Sequence, residues 1–91
     1  MTRSRWELIV APSAERSLTR LPEKAAAAVV EFMVGPLTED PKRAGHRLRG
    51  ELEGLWAARR GPYRVVYEIE GRGREVRVLR IDHRVDVYRP R

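Results

Sequence analysis

The chain has 91 residues, of which 19 are Lys or Arg and 13 are Asp or Glu, so its formal net charge is +6. A chain of this length builds one hydrophobic core, and we expect a single domain over residues 1–91. The absence of cysteine excludes a disulfide scaffold, a zinc–thiolate site and a thiol nucleophile. No apolar run is long enough to span a membrane, and the N-terminus lacks the apolar segment of a signal peptide, which predicts a cytoplasmic protein.

The positive charge is concentrated in the second half of the chain. Residues 1–41 carry five bases and six acids, whereas residues 42–91 carry 14 bases and seven acids, so the two parts have net charges of −1 and +7. Of the bases, 17 are arginines, whose planar guanidinium binds phosphate through two parallel hydrogen bonds. A GC-rich genome would also favour arginine codons, so the location of the charge is the stronger argument. It predicts an anionic partner for the second half.

The first predicted element is a strand. Residues 5–11 alternate along the chain, with Trp6, Leu8 and Val10 on the face expected to be buried. A Pro-Ser pair ends this strand, and Ser13 is predicted to be the N-cap of the helix that follows, because its hydroxyl can accept a hydrogen bond from a first-turn N–H group.

Two amphipathic helices are predicted next. Ala14, Leu18 and Leu21 share one face of the first helix, and Pro22 suits the first position of the second. Gly-Pro at positions 35–36 is predicted to end the second helix. Its apolar stripe consists of Ala25, Ala28, Val29, Phe32 and Met33.

The remaining chain predicts a loop-rich connection and three strands. Residues 37–54 contain several Gly and Pro, with Leu48 and Leu52 expected to turn toward the core. Three strand-like runs follow, at residues 55–60, 63–70 and 75–81, separated by Gly-containing hairpin turns. The order strand, helix, helix, three-stranded antiparallel meander indicates an α+β fold with one helical layer on one sheet.

Alternation along the middle strand predicts which side chains lie on each face. Tyr63, Val65, Tyr67 and Ile69 should pack on the helices, so Arg64 should lie on the opposite, open face of the sheet. One of the two arginines that end the preceding strand should join it. On the last strand, alternation places the arginines at positions 77 and 80 on opposite faces.

The open face and the segment after it combine residue types that suit nucleic-acid chemistry. Guanidinium groups bind phosphate, the Tyr88 ring can stack on a base, and the His83 imidazole can exchange a proton near neutral pH. Each residue also has an ordinary structural interpretation, such as an arginine paired with a cross-strand glutamate, a capping histidine or a tyrosine lid on the core. Their joint occurrence in the basic part of the chain favours an RNA or DNA surface.

Several motifs, in this order, resemble those of the RelE/ParE toxin superfamily. The matching segments are Leu21-Pro22, Leu48-Arg49-Gly50, Gly54-Leu55-Trp56, residues 60–67 and the ending at residues 83–88. The most specific are Gly-x-Tyr-Arg-x-x-Tyr, which begins at Gly61, and His-Arg-x-x-x-Tyr, which begins at His83. The resemblance implies two N-terminal helices packed on one face of a four-stranded, mostly antiparallel sheet.

The resemblance also implies an activity, that of a ribosome-dependent mRNA endonuclease. Such a toxin acts on mRNA in the ribosomal A site and is held inactive by a RelB-like antitoxin. The implied reaction is attack of a ribose 2′-hydroxyl on the adjacent phosphate, which leaves a 2′,3′-cyclic phosphate and a 5′-hydroxyl, with no metal and no cofactor. This chemistry needs a base for the 2′-hydroxyl, positive charge at the phosphorane and an acid for the leaving oxygen.

The resemblance assigns roles to two groups of residues. The catalytic candidates are Arg64 on the scissile phosphate, Tyr88 near the reacting nucleotide, and His83 and Arg84 in the segment that supplies proton-transfer or phosphate-binding groups. The RNA-binding candidates are Arg49 on the RNA backbone and the further basic residues Arg59, Arg60 and Arg80.

One departure from the family pattern concerns proton transfer. Some relatives carry lysines on the strand before the Tyr-Arg motif, whereas this strand reads Leu-Trp-Ala-Ala from position 55. Arginine keeps its proton at physiological pH, so either His83 carries the proton, or catalysis is mostly electrostatic and relies on the ribosome, or the chain does not cleave RNA. The alternatives are a ParE-like inhibitor of DNA gyrase, which needs no catalytic residues, and a non-catalytic antitoxin-binding relative.

Overall fold

A computed structural model of the protein describes residues 5–83 as five strands and three α-helices. The strands are β1 (Glu7–Val10), β2 (His46–Arg47), β3 (Trp56–Arg60), β4 (Tyr63–Glu70) and β5 (Glu75–His83), and the helices are α1 (Pro12–Arg20), α2 (Glu23–Phe32) and α3 (Pro41–Ala44). Within this part of the chain, no helix has both the length and the apolar character needed to cross a bilayer. The elements confirm the predicted α+β class.

All five strands belong to one mixed sheet with the order β1-β5-β4-β3-β2. The last four strands along the chain pair antiparallel, whereas β1 pairs parallel with the first part of β5, from Glu7 opposite Glu75 to Val10 opposite Val78. The β3–β4 hairpin turns at Gly61, whose φ of +60° lies in the left-handed region that glycine adopts without steric strain. The predicted meander is therefore confirmed.

The core lies between the helices and one face of the sheet. As predicted, Val65 and Tyr67 of β4 are fully buried there against Ala14, Val29 and other apolar side chains of the helical layer. The remaining members of the buried cluster are Phe32, Met33, Leu37, Ala58, Val76, Val78 and Ile81, and Trp6, Leu8 and Val10 pack at its margin.

The start of α1 differs from the prediction. Ala11, not Ser13, is the N-cap, and the Ser13 hydroxyl instead donates a hydrogen bond to the Leu79 carbonyl of β5. The Ala11 N–H donates a hydrogen bond to the Val78 carbonyl of β5 at 2.9 Å, so Ala11 still belongs to the sheet pairing. Pro12, with a fixed φ and no N–H, can therefore begin the helix directly after the strand.

The end of α2 also differs. The Gly35-Pro36 pair does not terminate the helix but lies inside a π-helical turn, Met33–Leu37, and Pro22 is the N-cap of α2 rather than its first residue. Proline removes one backbone donor from this turn. Just after it, the Thr38 hydroxyl donates to carbonyls of the turn, with Oγ1 3.0 Å from the Val34 oxygen and 3.1 Å from that of Gly35.

The connection between the helices and the meander contains more structure than its sequence predicts. It includes α3 and the two-residue strand β2, so the sheet has five strands rather than four. A two-residue strand carries no periodic signal, and only pairing with β3 defines it. Leu48 and Leu52 are half-buried, but neither packs against the buried cluster, so the expectation that they turn toward the core is not confirmed.

A β-bulge determines which side chains of β5 lie on the open face of the sheet. Val66 pairs with Arg80, but the next residue, Tyr67, pairs with Val78, so Leu79 has no partner on β4. The extra residue shifts the alternation by one position. Arg77 and Arg80 therefore lie on the same open face, and the prediction that they occupy opposite faces is wrong.

Candidate functional site

Three charged residues form a row across the open face of the sheet. Arg64 lies at its centre on β4, opposite Arg59 of β3 on one side and Asp82 of β5 on the other. Directly paired residues in antiparallel strands point to the same face. The prediction that one of the two arginines ending β3 lies beside Arg64 is confirmed, and the residue is Arg59.

Arg80 joins this row because of the bulge. Its Nε donates a hydrogen bond to Asp82 Oδ2 at 2.9 Å, and the same carboxylate oxygen lies 3.9 Å from a terminal nitrogen of Arg64. Two guanidinium groups and one carboxylate are therefore held together on adjacent strands. Beside them, the small apolar residues Ala57 and Val66 are fully buried in the same face.

Arg64 is the more enclosed of the two arginines. Its side chain is 22% exposed, compared with 45% for Arg80. Its Nε is buried and has no hydrogen-bond partner within residues 5–83. A buried donor without a partner is costly, which makes the position of the Arg64 side chain an unfavourable one in the described structure.

Arg64, Arg80 and Asp82 line a depression of about 610 Å³ at the C-terminal end of β5. β1 pairs only with the first part of β5, so beyond Val78 that edge of β5 is bordered by the end of α1. The other lining residues are Ser17, Arg20, Leu21, Tyr63, Ile81 and His83.

His83 enters this depression from the helix side of the sheet. It pairs with Tyr63, and the two rings meet edge to face with their centroids 5.0 Å apart. His83 and Arg64 therefore lie on opposite faces of neighbouring strands but border the same depression. The imidazole is half-buried.

Two other predicted RNA-binding residues lie elsewhere. The Arg60 guanidinium lies 4.1 Å from the centroid of the Phe32 ring, on the helix side of the sheet. Arg49 lines a second depression, of about 1060 Å³, together with His46, Arg47 and Trp56. The catalytic candidates Arg84 and Tyr88 lie outside the described residues.

Arg77 is on the same face as Arg80, but its charge is offset by acids. One terminal nitrogen lies 3.3 Å from Glu68 and the other 3.9 Å from Glu75. Among the described residues of this face, bases outnumber acids only around Arg64, where Arg59 and Arg80 lie beside the single carboxylate of Asp82. A phosphate with its developing negative charge is the ligand that such a cluster suits.

The site contains one residue that the sequence did not single out, Asp82. A hairpin without the bulge would place Ile81 opposite Arg64, so no sequence signal pointed to Asp82. In the part of the chain that the structure covers, no three His, Cys, Asp or Glu side chains are grouped so as to hold a metal ion. The chemistry of the described site therefore rests on guanidinium, carboxylate and imidazole groups.

Comparison with known proteins agrees with this architecture. The family described as ParE toxin of type II toxin–antitoxin system, parDE, matches residues 8–88. Two proteins of Mycobacterium tuberculosis, Toxin RelE and Toxin RelG, are each 49% identical to the chain, over 84 and 77 residues; the alignments cover 92% and 85% of this chain and 87% and 88% of theirs.

A solved structure has the same fold and a similar sequence. The crystal structure of the toxin–antitoxin complex RelBE2 from Mycobacterium tuberculosis contains a chain that matches with a TM-score of 0.85 and 43% identity, over 89% of this chain and 100% of that one. The chain described here therefore belongs to the RelE/ParE family of toxins from type II toxin–antitoxin systems.

Proposed function

We propose that this toxin is an mRNA endonuclease that acts in the cytoplasm on mRNA in the ribosomal A site. It promotes attack of a ribose 2′-hydroxyl on the adjacent phosphate without a metal or cofactor. The P–O5′ bond breaks, which gives a 2′,3′-cyclic phosphate and a 5′-hydroxyl. The likeness to Toxin RelE and Toxin RelG supports this choice within the family.

The observation that carries the proposal is the pair of guanidinium groups, Arg64 and Arg80, on one open sheet face. The terminal nitrogens of Arg64 and of Arg80, whose side chains are 22% and 45% exposed, can donate to the non-bridging oxygens of one phosphate. Positioned donors of this kind stabilise the phosphorane more than the ground state, because charge grows on those oxygens during attack. Arg59, next to Arg64, adds to the positive field.

The remaining roles follow the family pattern. His83, at the margin of the same depression, is proposed to move a proton, and Arg84 and Tyr88 are proposed to contact the phosphate and the reacting nucleotide. Arg49 and Arg60, which lie away from Arg64, would bind RNA further along its backbone.

A RelB-like antitoxin is the proposed protein partner. The matched Mycobacterium tuberculosis structure is a toxin–antitoxin complex, which supports this assignment. The segment of the antitoxin that covers the face around Arg64 should be acidic, because charge complementarity gives fast and specific association.

The test is expression of the toxin without antitoxin, followed by mapping of mRNA 5′ ends. We expect breaks within translated codons. Arg64→Ala should reduce cleavage roughly a hundredfold, as loss of one transition-state donor typically does. Arg16→Ala, on the exposed surface of α1, is the matched control and should cut like the wild type. Full toxicity of the Arg64 variant would refute the role given to that side chain.

The family match favours one second candidate, since it is to the ParE toxin family. A ParE-like toxin would bind DNA gyrase and would leave mRNA intact. Supercoiling of plasmid DNA, measured in the same cells, separates the two functions. Blocked supercoiling with intact mRNA would replace the endonuclease proposal with gyrase inhibition.

A further inference from the structure

Asp82 contacts the two central arginines of the site in different ways. Its Oδ2 accepts a hydrogen bond from Arg80 Nε at 2.9 Å, within the usual range for a charge-assisted bond. The same oxygen is 3.9 Å from the terminal nitrogen of Arg64, which is too long for a hydrogen bond. The carboxylate therefore fixes Arg80 while it neutralises Arg64 only by proximity.

Asp82 binds Arg80 at Nε and not at the terminal nitrogens, and this choice of atom affects phosphate binding. A guanidinium held at Nε keeps its two terminal nitrogens available, and these form the edge that binds a phosphate in a bidentate manner. Within the described part of the chain, Asp82 is the only acid in contact with Arg80. The phosphate-binding edge of Arg80 is thus left open while its position is fixed.

Arg77 shows the opposite arrangement three residues earlier on the same face. There Glu68 accepts a hydrogen bond from one terminal nitrogen at 3.3 Å and Glu75 lies 3.9 Å from the other, so both terminal nitrogens face carboxylates. The comparison separates two uses of an ion pair on one strand. The two ion pairs of Arg77 neutralise its charge. The ion pair of Arg80 instead fixes the orientation of its guanidinium group.

We infer that Asp82 is a positioning residue, which holds Arg80 by Nε so that its terminal nitrogens and Arg64 address the same RNA phosphate. This inference rests on the proposed endonuclease function. Asp82 also adds negative charge beside the phosphate, which weakens the attraction of RNA in the ground state. Its contribution must therefore appear in the rate of the chemical step rather than in affinity.

The first experiment measures cleavage of mRNA on programmed ribosomes by purified toxin variants. Asp82→Ala should lower kcat roughly tenfold, because a displaced guanidinium stabilises the phosphorane less well, while KM stays the same or falls. Asp82→Asn, which keeps an oxygen acceptor of the same size, should retain more of the rate than Asp82→Ala. A rate for Asp82→Asn as low as for Asp82→Ala would overturn positioning and favour a proton-accepting carboxylate.

The control variant is Glu68→Ala, which removes one acid from the same face with the same change in net charge. It should cleave within about twofold of the wild type, as surface pairs contribute little. In an Arg80→Ala background, Asp82→Ala should cause no further loss, because the residue acts through Arg80. Additive losses, or an equal loss for Glu68→Ala, would contradict the inference.

A second experiment does not depend on activity. Solvent exchange of the Arg80 Nε–H proton, followed by NMR and assigned with Arg80→Ala, should be slow in the wild type and at least tenfold faster in Asp82→Ala. Equal exchange in the two proteins would overturn the inference even if the toxin cleaves mRNA. Conversely, a wild-type toxin that leaves mRNA intact would refute the proposed function, while this exchange measurement would still test the contact.

Discussion

Arg59 and Arg64 lie directly opposite each other on neighbouring strands, an arrangement that repels in the absence of an anion. Asp82 offsets part of this repulsion from the other side of Arg64, but the Arg64 Nε remains buried without a partner in the described residues. Unfavourable local arrangements of this kind collect at functional sites, where a ligand relieves them. A phosphate bound by both guanidinium groups would relieve the repulsion.

The proposed role of His83 predicts how the cleavage rate depends on pH. The imidazole borders the depression from the helix side, against Tyr63. If it moves a proton in the reaction, His83→Gln should remove the dependence of the cleavage rate on pH between about pH 5 and 8, where histidine changes charge. The measurement is a single-turnover rate profile over this range.

The second histidine of the chain provides the control. His46 lies on β2, away from Arg64, and is exposed. His46→Gln should keep the wild-type profile. A profile that is unchanged in His83→Gln would assign the proton transfer to another group of the toxin or to the ribosome.

Among the secondary-structure elements, the bulge in β5 determines which residues lie on the open face, and the short helix α3 links the connection to the sheet. The bulge brings Arg80 to the open face, and α3 is tied to the sheet through Tyr67, whose hydroxyl donates to the Pro41 carbonyl at 2.7 Å. Gly45, which follows α3, lies against the same tyrosine, since a Cβ there would approach the Tyr67 hydroxyl to 2.4 Å. The tyrosine therefore joins the helical layer, the connection and β4.

Burial of this hydroxyl predicts a loss of stability at alkaline pH. Desolvation, with the nearby charge of Asp40, raises the pKa of Tyr67 from 10.0 to about 12. Between these values the unfolded chain releases the proton and the folded chain keeps it, so stability is complete below pH 10 and falls as the pH rises toward 12. Urea denaturation should show that the wild type loses ~2 kcal/mol more than Tyr67→Phe between pH 9 and about pH 11.5.

A matched variant excludes a general effect of tyrosine loss. Tyr63→Phe removes a half-buried phenol from the same strand. If both variants changed the pH dependence equally, the burial of the Tyr67 hydroxyl would not be its cause. Only Tyr67→Phe should reduce the fall in the free energy of unfolding between pH 9 and about pH 11.5.

Across the whole molecule, the charge is divided between the two parts of the chain. Helices α1 and α2 come from the part with net charge −1, and the part with +7 supplies most of α3, the connection, the meander and residues 84–91. On the open sheet face the described charges are sorted locally: three arginines (Arg59, Arg64 and Arg80) lie beside one carboxylate, Asp82, at one end, whereas acids surround Arg77 at the other end. This division favours one orientation of approach by RNA or by an acidic antitoxin.

The division predicts how RNA binding responds to salt. The logarithm of the affinity for a non-cleavable single-stranded RNA should fall linearly with the logarithm of salt concentration, by about 0.7 per phosphate contacted. Arg64→Ala should reduce the slope by about one such contact, whereas Arg16→Ala on α1 should leave it unchanged. Fluorescence anisotropy titrations measure the slopes, and equal slopes for all three proteins would show that Arg64 binds no phosphate.

The sequence by itself determined the α+β class, the meander, the core face of β4 and the position of Arg64 on the open face. These features follow from alternation within single strands and from stripes within single helices, which are local properties of the chain. The motif order also indicated the family, which the match over residues 8–88 confirms. The sites proposed from the family pattern, including Arg84 and Tyr88, stay predictions.

Only the tertiary structure decided which charged residues of β5 join Arg64. One unpaired residue, Leu79, reverses the alternation beyond it, and such a bulge exists only when two strands are aligned. The two-residue strand β2 is likewise defined only by its pairing with β3. Arg80 and Asp82 enter the site for the same physical reason, because the pairing of β4 with β5, and not the order of residues within β5, sets the face on which their side chains lie.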